Sequence, residues 1–308
     1  MPRVLVTPPV SPALMSTDPV RRYPRLRVQV WRRSHDRYQV GLDLEGGVLI
    51  HAPAQVAAAL GRLDGNCTIA EAAAETGAAT GAVAQALAQL PGHLLEPAPR
   101  GSVIRLIGAG QIGCAIAELL PAQHTLVLVD PDPPPAQLYQ HRLPTAADCL
   151  RTRLQALGRR VSVAPHWWGQ PSTAAITVIA QDRSECDRAL TSTLVRDDQP
   201  HLVVRLWQSG VVAGPLVQPG RTGCVRCGDL LRGADPAWPT VLAQAARGQV
   251  SAPQHLVQWA AALVVAELER WLATGSSALC NATQELSAGH GAATRQWPLH
   301  PECGCVGL

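Results

Sequence analysis

The stretch Val103 to Gly113, VIRLIGAGQIG, limits how this chain can fold more than any other. A mainly apolar run without alternation leads into Gly108-Ala109-Gly110-Gln111-Ile112-Gly113, a Gly-x-Gly-x-x-Gly sequence, and helix formers follow. Such a run reads as a strand buried on both faces, which requires helices on either side of a parallel sheet. The glycines permit a tight turn and close backbone approach, and the helix opening there offers free N–H groups to an anion. Asp130 ends the next predicted strand, TLVLVD, 17 residues after Gly113, where a ribose-binding acid is expected. ITVIAQD and HLVVRLW read as further buried strands. The fold class is therefore α/β with a doubly wound, Rossmann-like sheet. Gly108, Gly110, Gly113 and Asp130 are candidate nucleotide-binding residues; the alternative is a loop that only turns the chain.

The cysteines add a second constraint. Cys224-Val225-Arg226-Cys227 is a Cys-x-x-Cys pair, and Cys303-Gly304-Cys305 supplies two more thiols near the end of the sequence. Two thiolates on each of two tight turns can meet around a tetrahedral Zn2+, and four thiolates leave no open position, so the predicted site is structural. A redox pair or metal-free thiols is the competing reading. Cys67, Cys114, Cys149, Cys186 and Cys280 lack such spacing and read mostly as small buried residues. Residues 1–20 are Pro-rich and interrupted, so they read as a flexible tail rather than a signal peptide, and the longest apolar helix carries Glu267, Glu269 and Arg270. A cytoplasmic chain with no membrane segment is expected. In that compartment nine cysteines favour metal or free thiols over disulfides.

Ahead of the linker PAPRGS, residues 97–102, a smaller module is legible in residues 21–98. RVQVW, YQVGLDL and GVLIH read as strands, and three short helices follow, from Pro53, from Thr68 with Glu71 in capping-box spacing, and from Thr80 to Leu90. Pro91-Gly92 stops the third, and HLLEP reads as a closing strand. Three strands and three helices fit a winged-helix-like module. It carries Arg21, Arg22, Arg25, Arg27, Arg32, Arg33 and Arg37, either a solvated basic face or a surface for acidic peptide residues. The net charge of +3 is too small to argue for nucleic acid, although winged-helix modules also bind DNA.

GAGQIG after a strand, the acid in LVLVDPD, and cysteine pairs on either side of a long helix resemble, in that order, the ThiF/MoeB group of ubiquitin-activating-like adenylyltransferases. GPLVQPGRTGCVRC resembles that family's lead-in to its first zinc pair; QHLVQWAAALVVAELERWL and HPECGC resemble its closing region. The segment from Tyr23 to Ala73 resembles the leader-peptide-recognition module fused to ThiF-like proteins in ribosomal peptide pathways. There the protein partners a YcaO-type cyclodehydratase that converts Cys, Ser or Thr to azolines. The resemblance spans about residues 21–308, with 99–308 as the ThiF-like, zinc-bearing domain. It implies a leader peptide added as a strand, with Val48, Leu49 and Ile50 and the helix near Val83 and Leu87 as the groove, and a homodimer that docks the modifying enzyme.

The match is incomplete where adenylation would need it. Active members follow the ribose acid with an Asn-Leu-x-Arg-Gln-like segment and a downstream Lys. Here PDPPPAQLYQHRLP follows, Arg142 stands without its motif, and the chain has no Lys. Arg151 and Arg153 are the candidate replacements, but a guanidinium is no simple stand-in for an ammonium. Asp182 falls where the family places a magnesium-linked acid, and Arg183 replaces the Asn that usually follows it. Asp182 equally reads as a cap for the helix in SECDRALTSTLV. ATP chemistry is therefore expected to be lost or delegated to a partner, and no catalytic residue is assigned. The leading expectation is a non-catalytic leader-peptide-binding partner. An ATP- and Mg2+-dependent adenylyltransferase acting on a C-terminal carboxylate is the runner-up. A nicotinamide-dependent oxidoreductase explains the loop but not the cysteines, and a DNA-binding regulator explains the arginines. His255, His290 and His300 are scattered without ligand spacing, His300 alone sitting close enough to the second pair to orient a thiolate; Trp167-Trp168 reads as a core edge, a subunit interface or a stacking surface.

Overall fold

The computed structural model describes residues 24–26, 28–42, 47–65, 67–91, 94–96, 101–139, 143–168, 173–233 and 236–306. The tail 1–20, most of the linker 97–102, and Arg21, Arg22, Arg27 and Arg142 lie outside these residues. The chain divides into two compact units, Met1–Pro99 and Arg100–Leu308. Among the described residues no helix is long and apolar enough to cross a membrane.

In the first unit RVQVW does not run as one strand. β1 (Arg25–Leu26) ends before it and pairs antiparallel with β5 (Leu95–Glu96). β2 (Val30–Arg32) turns through Ser34-His35-Asp36 into β3 (Arg37–Val40), and β4 (Val48–His51) completes an antiparallel sheet in the order β2-β3-β4. Three helices follow: α1 (Ala54–Arg62), α2 (Ile69–Thr76) and α3 (Thr80–Ala88). The capping box forms at α2: the Glu71 N–H donates to Thr68 Oγ1 at 3.2 Å and the Thr68 N–H donates to Glu71 Oε2 at 2.7 Å. Gly77 ends α2 at φ +70°, a left-handed turn that glycine adopts without strain. Apolar side chains at helical spacing (Val56, Leu60, Leu63, Val83, Leu87) close over Tyr38, Val40 and Ile50 of the sheet to make one core.

The second unit is built on an eight-stranded sheet, ordered β13-β12-β11-β10-β9-β6-β7-β8. β6 (Val103–Ile107), β7 (Thr125–Val129), β8 (Arg160–Val163), β9 (Ile176–Ile179) and β10 (His201–Trp207) are parallel, and apart from β8 they read as near-continuous apolar runs because helices cover both faces. The sheet then continues antiparallel through β11 (Gly210–Val217), β12 (Ala282–Ser287) and β13 (Gly291–Gln296), an extension absent from the sequence reading. α4 (Gln111–Leu119) leaves the glycine loop, α5 (Ala146–Ala156) follows β7, and α6 (Arg188–Arg196) precedes β10. α7 (Val225–Arg232) and α8 (Trp238–Ala245) lie between β11 and the long α9 (Gln254–Thr274). α9 presents Leu256, Val257, Ala260, Val264 and Leu268 to the core shared with Ile112 and Ile116 of α4, which fixes the helix that starts at the glycine loop. Each such fully buried Leu or Ile contributes about 1.5–3 kcal/mol.

Candidate functional site

The glycine loop has the shape that its sequence demands. Gly108 sits at φ +112°, and a Cβ there would collide with the Ala180 carbonyl at the end of β9; a Cβ at Gly113 would strike the Gly108 carbonyl. Glycine at these positions is what lets β6, β9 and α4 converge. Two carboxylates then occupy the loop's donors. The Ala109 N–H donates to Asp130 Oδ2 at 2.7 Å. At the start of α4 the Gln111 N–H donates to Asp182 Oδ2 at 2.6 Å and the Ile112 N–H to Asp182 Oδ1 at 3.1 Å. Asp182 therefore caps α4, not the helix after it: α6 is capped by Asp187, whose Oδ1 accepts from the Ala189 N–H at 2.8 Å. Burial pushes both the Asp130 and Asp182 carboxyls above the ordinary aspartate range, and the amide donors hold them back only in part. A small pocket of about 30 Å3 lies beside the loop, bordered by Gly110, Asp130, Asp132, Asp182 and Arg183. ATP with Mg2+ does not fit this arrangement, because the amides that would hold a phosphate are already bonded. Arg183 is also engaged, donating to the Ala246 carbonyl at 2.8 Å and lying 3.4 Å from Asp132. Arg151 and Arg153, the candidate substitutes for a phosphate-binding Lys, pair instead with Asp148 at 3.0 Å and Glu118 at 2.6 Å.

The four cysteines come together as their spacing predicts. Their sulfurs all lie within 4.8 Å of one another, with Cys224 Sγ 3.5 Å from Cys303 Sγ and Cys227 Sγ 3.4 Å from Cys305 Sγ. Zn–S bonds of about 2.3 Å in a tetrahedron place sulfurs about 3.8 Å apart, so this cluster fits a metal such as zinc. Cys224 stands just ahead of α7, where the Cys227 N–H donates to the Cys224 carbonyl at 3.1 Å, and Gly304 at φ +70° lets the second pair turn tightly. The sequence reading missed Asn281, whose Oδ1 accepts the Gly223 N–H at 2.7 Å and so holds the turn entering the first pair. An Asn in the left-handed region, φ +55°, is the sort of residue that serves this way, but nothing in its local sequence announces it. His300 belongs to the other turn: its carbonyl accepts the Cys303 N–H and its Nδ1 accepts the Glu302 N–H. His255 and His290 are exposed. Among the remaining cysteines, Cys114, Cys149 and Cys186 are buried, while Cys67 and Cys280 are half-buried.

A cluster not foreseen ties the cysteine-bearing helix to the sheet. Glu185 accepts from Arg205 at 2.8 Å, from Arg188 at 3.0 Å and from Arg232 at 3.3 Å, and Arg188 also grips Asp229. Burial pushes the Glu185 carboxyl up, and the three guanidiniums outweigh this, leaving it below the ordinary glutamate range. Trp167 packs on the core around Ile107 and Val129 while Trp168 is exposed and stacks on His166, so the pair is divided between a core edge and the surface.

In the first unit the groove residues separate. Val83, Leu87 and Ile50 are buried in the core, whereas Val48 and Leu49 are half-buried on β4. Strand pleating sets this difference: Ile50 points into the helices and Leu49 points the other way. The β4 backbone is more informative. The Ala52 N–H donates to the Asp36 carbonyl, so the alternate residues Ile50 and Val48 make the ladder to β3, and the N–H groups of Leu49 and His51 face the opposite edge. Among the described residues no strand pairs with that edge. Arg32 and Arg33 lie at the other edge of this sheet, beyond β3, with exposed bonds to the Ser34 carbonyl and to Gln39.

No protein-family model and no curated protein matches the chain. Solved structures do. E. coli MccB with selenomethionine MccA aligns over 92% of this chain and 99% of its own, with a TM-score of 0.59 at 15% identity. The microcin C7 biosynthetic enzyme MccB in complex with N-formylated MccA gives a TM-score of 0.58 at 15% identity, covering 92% of this chain and 99% of that one. A heterocyclase in complex with substrate and cofactor aligns over 92% of this chain but 40% of its own, with a TM-score of 0.59 at 15% identity. What these likenesses establish is the fold alone, a mixed α/β, ThiF-like architecture shared with MccB; the small antiparallel sheet and the four-cysteine cluster suited to a metal are read from this chain itself.

Proposed function

We propose that this chain is a non-catalytic, leader-peptide-binding partner of a YcaO-type cyclodehydratase in ribosomal peptide modification. The observation that carries the reading is the edge of β4 that no described strand covers, with the Leu49 and His51 amides directed away from β3. A peptide in extended form adds there as a fourth strand, taking affinity from main-chain bonds and register from side chains beside Val48 and Leu49. Arg37 on β3, in register with His51, favours acidic residues in that peptide. The cysteine cluster holds a structural zinc, and the second unit forms a homodimer that docks the modifying enzyme. The similarity to MccB, solved with MccA, and to a heterocyclase solved with its substrate is consistent with this role. The filled glycine loop weighs against the adenylyltransferase alternative.

Isothermal titration of the full chain with the leader segment of the precursor peptide encoded beside its gene tests the reading. Micromolar affinity is expected, with at least a tenfold loss for His51→Pro, which removes an edge donor from an exposed position without touching the β3 ladder. Absence of binding by the wild-type chain, or full affinity in a folded His51→Pro variant, overturns it. A strict monomer in size-exclusion chromatography rules out the dimer.

A further inference from the structure

We propose that Asp182 is the permanent anion of the glycine loop: its carboxylate stands where a nucleotide would place a phosphate, and the chain thereby closes its own anion cradle. This sharpens the non-catalytic part of the proposed function and is independent of whether a peptide binds β4.

Three observations converge. First, both Asp182 oxygens accept from the opening amides of α4, the two donors most exposed to a phosphate at a helix start. Second, Gly110 has an ordinary φ of −82°, which any residue adopts, yet a Cβ there would collide with the Asp182 carboxylate. Its smallness serves the approach of an anionic group, and that group is supplied from within the chain. Third, among the described residues the charged groups lining the crevice around the loop are Asp130, Asp132 and Asp182 with Arg183, an acidic lining that disfavours a polyphosphate. Asp130 meanwhile holds the Ala109 N–H, a third backbone donor of the loop. The carboxylate takes over what a bound phosphate does elsewhere: it satisfies helix donors, complements the positive end of the dipole and braces β9 against α4.

Thermal denaturation of the full chain, in inorganic phosphate and in chloride at matched ionic strength, tests the assignment on wild type, Asp182→Ala and Asp182→Asn. The wild-type midpoint is expected to be the same in both salts. Asp182→Ala should melt lower in chloride and recover by several degrees in tens of millimolar phosphate, which enters the vacated cradle. Asp182→Asn keeps the volume without the charge and should recover less. Gly110→Ala supplies a second readout: it should lower the midpoint in wild type and do so much less in the Asp182→Ala background, where the collision is gone. A phosphate-specific rise in the wild type equal to that of Asp182→Ala would overturn the proposal. So would Gly110→Ala being equally costly in both backgrounds. Neither outcome bears on peptide titration, so the two readings fail separately.

Discussion

Replacing Glu185 by Gln should be among the most damaging single changes in the second unit, although it alters no volume. Glu185 and Arg205 are nearly enclosed, with side-chain exposures of 10% and 7%, and they meet at 2.8 Å. Removing the negative charge leaves Arg205 enclosed without an anion, and breaking a buried pair from one side costs about 3–5 kcal/mol. Arg188 and Arg232 are each 26% exposed and keep Asp229, at 2.8 Å and 3.6 Å, so their losses add less than about 1 kcal/mol. For a unit of this size, 3–5 kcal/mol corresponds to a midpoint lower by roughly 6–20 °C. Urea unfolding followed by tryptophan fluorescence near neutral pH reads the change directly. The pH dependence has a definite sign. The folded Glu185 carboxyl lies below its ordinary range, so its stabilisation is present above the unfolded pKa and is lost as pH falls through the folded one. The gap between wild type and Glu185→Gln should thus be full near neutrality and close in acid. Joint replacement, Glu185→Leu with Arg205→Met, should recover much of the loss. A Glu185→Gln variant within about 1 kcal/mol of wild type, or a gap that widens in acid, would refute the reasoning.

Zinc content measured by mass spectrometry should be near one ion per chain, fall sharply in Cys303→Ser, and be replaceable by Co2+ with the absorption of a tetrahedral thiolate site. Asn281→Ala should weaken metal retention without removing a ligand, seen as faster loss to a chelator, because the Gly223 N–H loses its acceptor. Thr68→Ala should lower stability by about 1 kcal/mol in urea unfolding by breaking the α2 capping box. Gly77→Ala should cost about 1 kcal/mol although open space surrounds the position, since the penalty lies in φ +70° alone.

The sequence was most legible where local chemistry and tertiary role coincide. The strand entering Gly108, the capping box at Thr68 and the cysteine pairs each satisfy a local rule that the fold uses unchanged. β12 and β13 were not legible: ATQELS is only partly buried and GAATRQ is exposed along its whole length, so neither shows the apolar runs that mark β6 or β10. RVQVW misled for the converse reason, since its alternation is real but the partners of the flanking segments lie in different sheets. Asp182 could be placed near the loop from its position after a strand, yet its attachment to α4 spans 70 residues of sequence that no local pattern encodes. The Glu185 cluster is hidden likewise, because its arginines come from three separate elements. Val83 and Leu87, expected to line the peptide groove, lie in the unit's own core, and helical spacing alone does not tell a face covered by a peptide from one covered by the unit's sheet.

The cysteine cluster also has a meaning for the chain as a polymer. Its two halves are joined by sulfur contacts 78 and 79 residues apart, so a bound metal closes a loop that contains α8, α9, β12 and β13. If the restriction acts as a covalent cross-link of that span would, it removes about 4–5 kcal/mol of conformational freedom from the unfolded chain. The gain is therefore made largely in the state where the cluster is not seen, and chelation should weaken the whole enclosed segment rather than the knuckles alone. Synthesis gives the ring a schedule as well. At ribosomal rates the first pair waits roughly 4–15 s for the second to emerge, so α9 can settle on α4 before any metal can lock it there.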